Sequence, residues 1–347
     1  MSPNKHDLFI AWVCRTLQPY VAHIHGEISP SAVQAIPGDA GTRRYFRVAV
    51  EPSFIAVFAP YEPELNESFA RIGRFMREQG LHVPKIIAEH PDGYFIVEDL
   101  GDTLLYGELK EETADLLYGE ALISLLRLQQ LPKDSAIFPD YDRATLRRES
   151  ELFGQWFVEK LLGYPLSEAE NRRLSDFYSR LEDEATSQPQ VVVHRDYHCR
   201  NLLITADAST GIIDFQDALI GPFTYDLVSL LRDCYIAWPQ AKVKQWALAY
   251  SQMAIDAGVL PAVEPDVLLR WFDYMGLQRH TKVLGIFARL CLRDGKETYL
   301  HDLPLVIAYF RYVLAQYSEF ADLLTWFDDT MMPLIAKQRW MKTVLLS

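Results

Sequence analysis

Over the first hundred residues, short apolar stretches alternate with polar punctuation at a spacing that predicts strands. Ala32 to Ile36 and Arg44 to Val50 read as two strands around the turn Pro37-Gly38-Asp39-Ala40-Gly41-Thr42, and Ser53 to Ala59 reads as a third. The period then changes. From Glu67 to Gln79 the apolar residues Phe69, Ile72, Phe75 and Met76 recur at helical spacing, and Gly80 stops the run. Pro84 and Ile86-Ile87 begin a further strand, and Tyr94 to Val97 forms another, closed by Glu98-Asp99-Leu100-Gly101. Upstream of the strands, MSPNKHDLFIAWVCRTL has the pattern of an amphipathic helix. Beyond Gly101 helical spacing dominates. Glu111 to Leu131 carries Leu116, Leu117, Leu122, Leu125 and Leu126, Arg143 to Leu162 forms a second helix, and Ser167-Glu168-Ala169-Glu170 is a capping box that opens a third. Helices resume at Tyr225. The pattern predicts an α+β protein: a small antiparallel-sheet lobe over residues 1–101 and a larger, mainly helical lobe over 102–347, divided near residues 98–102.

One segment interrupts the helical half. Residues 191–217 read VVVHRDYHCRNLLITADASTGIIDFQD. Val191-Val192-Val193 is a β-branched strand end, HRDYHCRN a polar loop, Leu202 to Thr205 a strand, Ala206 to Thr210 a turn, and Gly211-Ile212-Ile213 a returning strand. Antiparallel pairing of the last two strands brings Asp214 back beside Asn201. A carboxylate and an amide oxygen so placed suit a hard cation such as magnesium. Asp196 lies five residues before Asn201, where it can orient an attacking hydroxyl. A phosphoryl-transfer site needs these three groups, and H-x-D-x4-N followed by strand, turn and I-D-F is the kinase-type order.

Composition narrows the function without altering this picture. The chain has 347 residues and is 49 % hydrophobic, enough for a sizeable core in about two domains. A net charge of −13 argues against a nucleic-acid partner. No long unbroken apolar run predicts a membrane span, and the N-terminus lacks the layout of a signal peptide, so a cytoplasmic protein is expected. The four cysteines, Cys14, Cys199, Cys234 and Cys291, are scattered and without CxxC pairs, which favours free thiols. In the first lobe, the glycines of the 37–42 turn allow backbone N–H groups to approach phosphate, with Arg43 and Arg44 following as cations. The backbone at Glu98 to Gly101 could meet an adenine ring.

HRDYHCRN with IIDFQD resembles the aminoglycoside phosphotransferase and choline kinase family, whose members have the two-lobed protein-kinase-like fold. GDAGTRRYFRV, VEDLGD, HRDYHCRNLL, IDFQDALIGPFTYDLVSLLRDCY and LGIFARLCLRDGKETYL together resemble its bacterial branch of anomeric N-acetylmuramate/N-acetylglucosamine kinases of cell-wall recycling, over roughly Ile36 to Leu303. The resemblance implies ATP and Mg2+ as cofactors and a small-molecule sugar as the other partner. It implies Asp196 as catalytic base, Asn201 and Asp214 as metal ligands, and Asp226 as a brace for the catalytic loop. The 37–42 turn and the strand end at 98–101 give candidate nucleotide contacts at Gly38, Gly41, Thr42, Arg43, Arg44, Glu98 and Leu100, with an ordinary hairpin turn and a plain interlobe linker as the alternatives. Asp217 could contact sugar hydroxyls or the metal shell or simply hydrogen-bond the loop, and Arg279 is a candidate for the sugar. Trp238, Trp271 and Tyr274 could stack on a sugar face or fill the core. Arg279, His280, Lys282, Arg289, Arg293 and Lys296 could meet a carboxylate or form a solvated or internally paired helix face.

Two features depart from the wider kinase pattern, a missing lysine–glutamate pair and Arg195. The third strand, Ser53 to Ala59, carries no lysine for the phosphates, and the helix face near Phe69 carries no partner glutamate. Arg195 stands where many small-molecule kinases have glycine. The sequence therefore leaves open, beside an amino-sugar kinase, a kinase for aminoglycoside, choline or another small alcohol, and a nucleotide-binding regulatory pseudokinase.

Overall fold

The computed structural model describes residues 4–21, 26–37, 43–59, 63–342, 344 and 346. Helix α1 (Lys5–Leu17) is capped by Asn4, whose side chain accepts from the His6 N–H. Its buried residues Phe9, Trp12, Val13 and Leu17 share one face. Five strands follow: β1 (Val33–Ile36), β2 (Arg44–Val48), β3 (Phe54–Phe58), β4 (Ile86–His90) and β5 (Tyr94–Glu98). They form one antiparallel sheet in the order β1-β2-β3-β5-β4. Helix α2 (Pro63–Glu78) connects β3 to β4, starting about one turn before the expected start at Glu67. The face of α1 closes one side of the sheet in a cluster with Phe46, Val48, Phe54, Phe58, Tyr94 and Ile96.

The helical region contains α3 (Leu105–Glu108), α4 (Ala114–Gln129), α5 (Arg143–Leu152) and α6 (Glu168–Ser187). The predicted capping box is present in full: the Ser167 hydroxyl meets the Glu170 N–H, and the Glu170 carboxylate accepts from the Ser167 N–H. The single helix expected over 143–162 is not uniform, because Phe153–Leu161 continues α5 as a π-helix. Four short strands follow: β6 (Gln190–Val193), β7 (Leu202–Ile204), β8 (Thr210–Ile212) and β9 (Leu219–Pro222). Here β7 pairs with β8, and β6 pairs with β9, a strand the sequence pattern did not predict. Helices α7 (Tyr225–Leu231), α8 (Gln240–Asp256), α9 (Pro265–Asp294) and α10 (Leu303–Leu314) come next, then two short ones, α11 (Ala321–Trp326) and α12 (Met332–Ile335). Among the described residues no helix is long and apolar enough to cross a membrane.

By compactness the chain forms two units, Met1–Ala121 with Arg200–Asp217, and Leu122–Cys199 with Ala218–Ser347. The single boundary expected near residues 98–102 therefore moves to within α4, and 200–217 joins the first unit. The reason is local pairing. Leu104 bridges to Leu203, the Ile204 N–H donates to the Thr103 carbonyl at 2.8 Å, and the Ile212 N–H donates to the His82 carbonyl at 2.9 Å. The second unit is organised around α9. It packs with the π-helix, α6 and α10 through Phe153, Phe157, Leu174, Phe177, Leu277, Leu284, Val306 and Phe310. Gly285 permits the close approach of α9 to α5, since a Cβ there would lie 2.4 Å from the carbonyl carbon of Leu152.

Candidate active site

The β7–β8 hairpin delivers two of the predicted groups together. Apolar Leu202, Leu203 and Ile212 set its register, Leu202 opposite Ile212 and Ile204 opposite Thr210. Its turn is tied by Asp207, which accepts from the Thr205 hydroxyl at 2.6 Å and the Ser209 hydroxyl at 2.9 Å. Those bonds to Thr205 and Ser209 hold the Asp207 carboxyl down at about 2. At the open end the Ile213 N–H donates to the Asn201 carbonyl at 3.1 Å. Asp214 follows with φ 65°, the left-handed region that aspartate tolerates better than most residues. Its Oδ2 accepts from the Asn201 amide at 3.4 Å and its Oδ1 from the Gln216 amide at 2.8 Å. A carboxylate has about four lone-pair sites, so two N–H bonds leave capacity for a cation. Asp214 and the oxygen of Asn201 thus fit magnesium, which takes one or two protein oxygens and completes its shell with phosphate and water.

Asp196 belongs to the second unit and is built differently. Strand β6 ends at Val193, and the next two backbone N–H groups, of His194 and Arg195, donate to Asp226 at 2.6 and 3.0 Å. Asp226 stands in the first turn of α7 and is fully buried. Burial raises its carboxyl to about 6 against the opposing effect of His194 and the two N–H bonds. Arg195 adopts φ 76°, the left-handed region that glycine enters without the cost a Cβ brings. Its guanidinium pairs with Glu149 of α5, which also takes the Tyr141 hydroxyl, and the Lys282 ammonium lies 3.4 Å from Glu149. Lys282 donates to the Tyr225 hydroxyl at 3.0 Å. Arg279 donates to the Arg195 carbonyl at 2.8 Å and lies 3.9 Å from the Asp196 carboxylate. The Asp196 N–H in turn donates to His194 Nδ1 at 3.3 Å. The Asp196 side chain is 42 % exposed while that of Arg279 is 6 % exposed. Desolvation opposes ionisation of Asp196, but the charges of Lys282 and Arg279 outweigh it and hold the carboxyl well below the usual range.

The other predicted positions fall as follows. Gly38, Gly41 and Thr42 lie outside the described residues. Arg43 is buried and turned onto α2, donating to the Leu65 carbonyl at 2.9 Å. Arg44 is exposed, with its guanidinium 4.5 Å from the Phe58 ring centre. Glu98 is engaged within the sheet region: its N–H donates to the Lys85 carbonyl at 2.8 Å, and its carboxylate pairs with Arg77 at 3.1 Å. Leu100 is half-buried and Asp217 is exposed. Asp99 is taken by Arg47, whose two nitrogens reach its two oxygens at 2.8 and 3.1 Å.

The basic stretch on α9 does not form a solvated face at its start, because Arg279, His280 and Lys282 are all buried. Trp238 and Tyr274 are core residues, while Trp271 is half-buried. Sequence reasoning missed Glu149, and it placed Lys282 in a basic stretch without its pairing to Glu149. Lys282 sits three residues after Arg279 on one helix face, and that spacing is the available signal. Nothing in the sequence marks Glu149 among its acidic neighbours. Cys199 is a buried filler whose thiol donates to Asp233 at 2.8 Å.

Antiparallel sheet, helical remainder, HxD loop and the hairpin ending in Ile-Asp-Phe are the parts of a hydroxyl-directed phosphotransferase with the protein-kinase-like fold. The chain belongs to the phosphotransferase enzyme family, which matches residues 32–265. It is 40 % identical to an N-acetylmuramate/N-acetylglucosamine kinase of Pseudomonas putida over 86 % of this chain and 88 % of that one. It is 38 % identical to a protein of the same name from Neisseria meningitidis, over 82 % of this chain and 86 % of the other. Among solved structures, an ethanolamine kinase of Plasmodium vivax shares the fold with a TM-score of 0.63 at 13 % identity, covering 90 % of this chain and 92 % of that one. The GDP complex of an aminoglycoside 2′-phosphotransferase does so with a TM-score of 0.60 at 18 % identity, covering 85 % and 97 %.

Proposed function

We propose that this protein is an ATP-dependent cytoplasmic kinase for the anomeric hydroxyl of an N-acetylmuramate- or N-acetylglucosamine-type amino sugar. The observation that carries this reading is the 40 % identity over nearly the whole of both chains to a kinase of that name. The likeness to aminoglycoside and ethanolamine kinases, at 13–18 % identity, supports the fold without favouring their substrates.

In this reading Asp196 accepts a hydrogen bond from the acceptor hydroxyl. The hydroxyl oxygen bonds to the γ-phosphorus, the bond from that phosphorus to the β,γ-bridging oxygen breaks, and the hydroxyl proton passes to Asp196. Because nearby cations keep Asp196 ionised and weakly basic, it serves mainly to orient the nucleophile, with proton transfer late. An anomeric hydroxyl suits such a base, being more acidic than an ordinary alcohol. Magnesium, held by Asn201 and Asp214, would neutralise charge on the nucleotide phosphates. The nucleotide contacts expected at Gly38, Gly41, Thr42, Arg43, Arg44, Glu98 and Leu100 remain part of the proposal, as do sugar contacts at Asp217. Arg279 acts through Asp196 in this reading.

Asp196→Asn should abolish turnover and leave ATP affinity near wild type; turnover within a few-fold of wild type would refute the role of Asp196. ATP consumption measured against amino sugars, choline and aminoglycosides tests the acceptor. Consumption with choline and no sugar would overturn the substrate assignment. No consumption with any acceptor would favour a nucleotide-binding regulator.

A further inference from the structure

Strand β3 carries no lysine, and the α2 face at Phe69 carries no glutamate, so the ion pair that ties sheet to helix in other kinases is absent. An aromatic stack occupies that place. The Phe69 ring lies nearly parallel to that of Phe215, with centroids 5.2 Å apart and 10° between planes. Its edge meets Phe95 of β5 at 5.2 Å. The Arg43 guanidinium covers it at 4.9 Å and donates to the Leu65 carbonyl at 2.9 Å and to Asn66 Oδ1 at 3.4 Å. Asn66 completes the join to the strand by donating to the carbonyl of Ala59, the residue after β3, at 2.7 Å. One turn along α2, Gly73 leaves room for the stack, since a Cβ there would stand 2.9 Å from two ring carbons of Phe215. Arg43, Phe69 and Phe215 are all buried.

We infer that Arg43, Phe69 and Phe215 form a positioning stack that replaces the missing lysine–glutamate pair and fixes the backbone at Asp214. The inference rests on the reading of Asp214 as a magnesium ligand. Phe215 is the residue after Asp214, so pinning its ring against α2 limits the backbone on which Asp214 holds its φ of 65°. Arg43 is anchored on α2 through the Leu65 carbonyl and Asn66 as well as through the Phe69 ring. An ion pair can exchange partners and is screened by salt, whereas a buried ring stack does neither. In this protein α2 is therefore held in one arrangement.

The test is Mn2+ binding to the ADP-loaded protein by electron paramagnetic resonance, alongside kcat, acceptor KM and thermal midpoint. Gly73→Ala drives a methyl into the Phe215 ring, and Phe69→Met keeps an apolar filler while removing the stack. Each should weaken Mn2+ by about 10–100-fold, the range for residues that orient metal ligands, and lower kcat by a similar factor. Acceptor KM should change less than about twofold, because the stack acts on the metal ligand. Phe69→Met controls for any failure of Gly73→Ala to fold. Asp214→Ala examines the metal reading by itself: native Mn2+ affinity in that variant would refute the reading. Loss of Mn2+ in Asp214→Ala with native Mn2+ affinity in both stack variants would overturn the stack and leave the metal reading standing.

Discussion

Asp226 is fully buried, yet it must be ionised to receive the N–H groups of both His194 and Arg195. With its carboxyl raised to about 6 by burial, it loses that state on mild acidification. The protonated acid keeps one strong acceptor oxygen, so one N–H at the Asp196 loop goes unmet. Turnover should therefore fall below pH about 6 with the slope of a single proton. Asp226→Asn should lower kcat by about 10–100-fold, the equivalent of one charge-assisted bond, and should erase that acid limb. An unchanged acid limb in the variant would assign the titration elsewhere. The effect on folding has the opposite sign. A native value above the ordinary 3.8 means the folded chain holds this proton more tightly. The contribution of Asp226 to stability is complete below about pH 4 and is lost, up to about 3 kcal/mol, as pH rises through 6. The loop geometry is maintained at a cost in stability at neutral pH. Arg195 adds to that cost with its left-handed backbone, about 1–2 kcal/mol for a residue with a Cβ. These features were only partly legible beforehand. Asp196, Asn201 and Asp214 could be singled out as candidates because phosphoryl-transfer chemistry dictates residue type and spacing. The backbone angle of Arg195 and the fourfold engagement of Glu149, Tyr141, Arg195 and Lys282 depend on which side chains meet in space.

At the scale of elements, α5 and α9 meet across buried charge. Glu149 on α5 faces the cations of Arg195 and Lys282, and its carboxyl is held low because those charges outweigh the penalty of burial. Glu149→Gln would leave two cations facing a neutral amide. Breaking one partner out of a buried cluster typically costs about 3–5 kcal/mol, so the urea midpoint should fall sharply. Removing Lys282 at the same time, as in Glu149→Gln with Lys282→Met, should restore part of the loss, with a coupling of about 0.5–3 kcal/mol. A single variant within about 0.5 kcal/mol of wild type would show that the cluster carries no stability. Strands and helices were themselves largely readable. The third strand was expected over Ser53 to Ala59 and runs Phe54–Phe58, because a continuous apolar run is bounded by Pro52 and Pro60 on its two sides. Helix α2 begins at Pro63, earlier than its apolar face implies, since its first turn is polar. The π-helix left no mark, because Phe153, Phe157 and Val158 are buried whichever helical pitch the backbone takes. Strand β9 was missed because Leu219-Ile220-Gly221-Pro222 reads locally as a turn; pairing with β6 makes it a strand.

For the whole molecule, the informative fact is that the chain visits each compact unit twice. Sequence order suggested one division, since the helical pattern takes over after Gly101. Compactness instead groups 200–217 with the sheet, through pairing to residues 82, 103 and 104 that no local pattern encodes. The consequence for function is a sorting of roles. Every candidate nucleotide or metal residue, from 38 to 44, at 98 and 100, and at 201 and 214, falls in the first unit, whereas Asp196 and its supporting charges fall in the second. Ligand binding slows amide exchange where it suppresses local opening. Hydrogen exchange read by mass spectrometry should therefore show Mg2+ and ADP protecting segments of 43–121 together with 200–217. An amino sugar added afterwards should extend protection to segments of 190–199 and 218–235. The two patterns would be separable along the chain even though residues 199 and 200 are covalent neighbours. Protection by ADP confined to 1–101, with no change in 200–217, would remove Asn201 and Asp214 from the nucleotide site and leave the metal assignment without support.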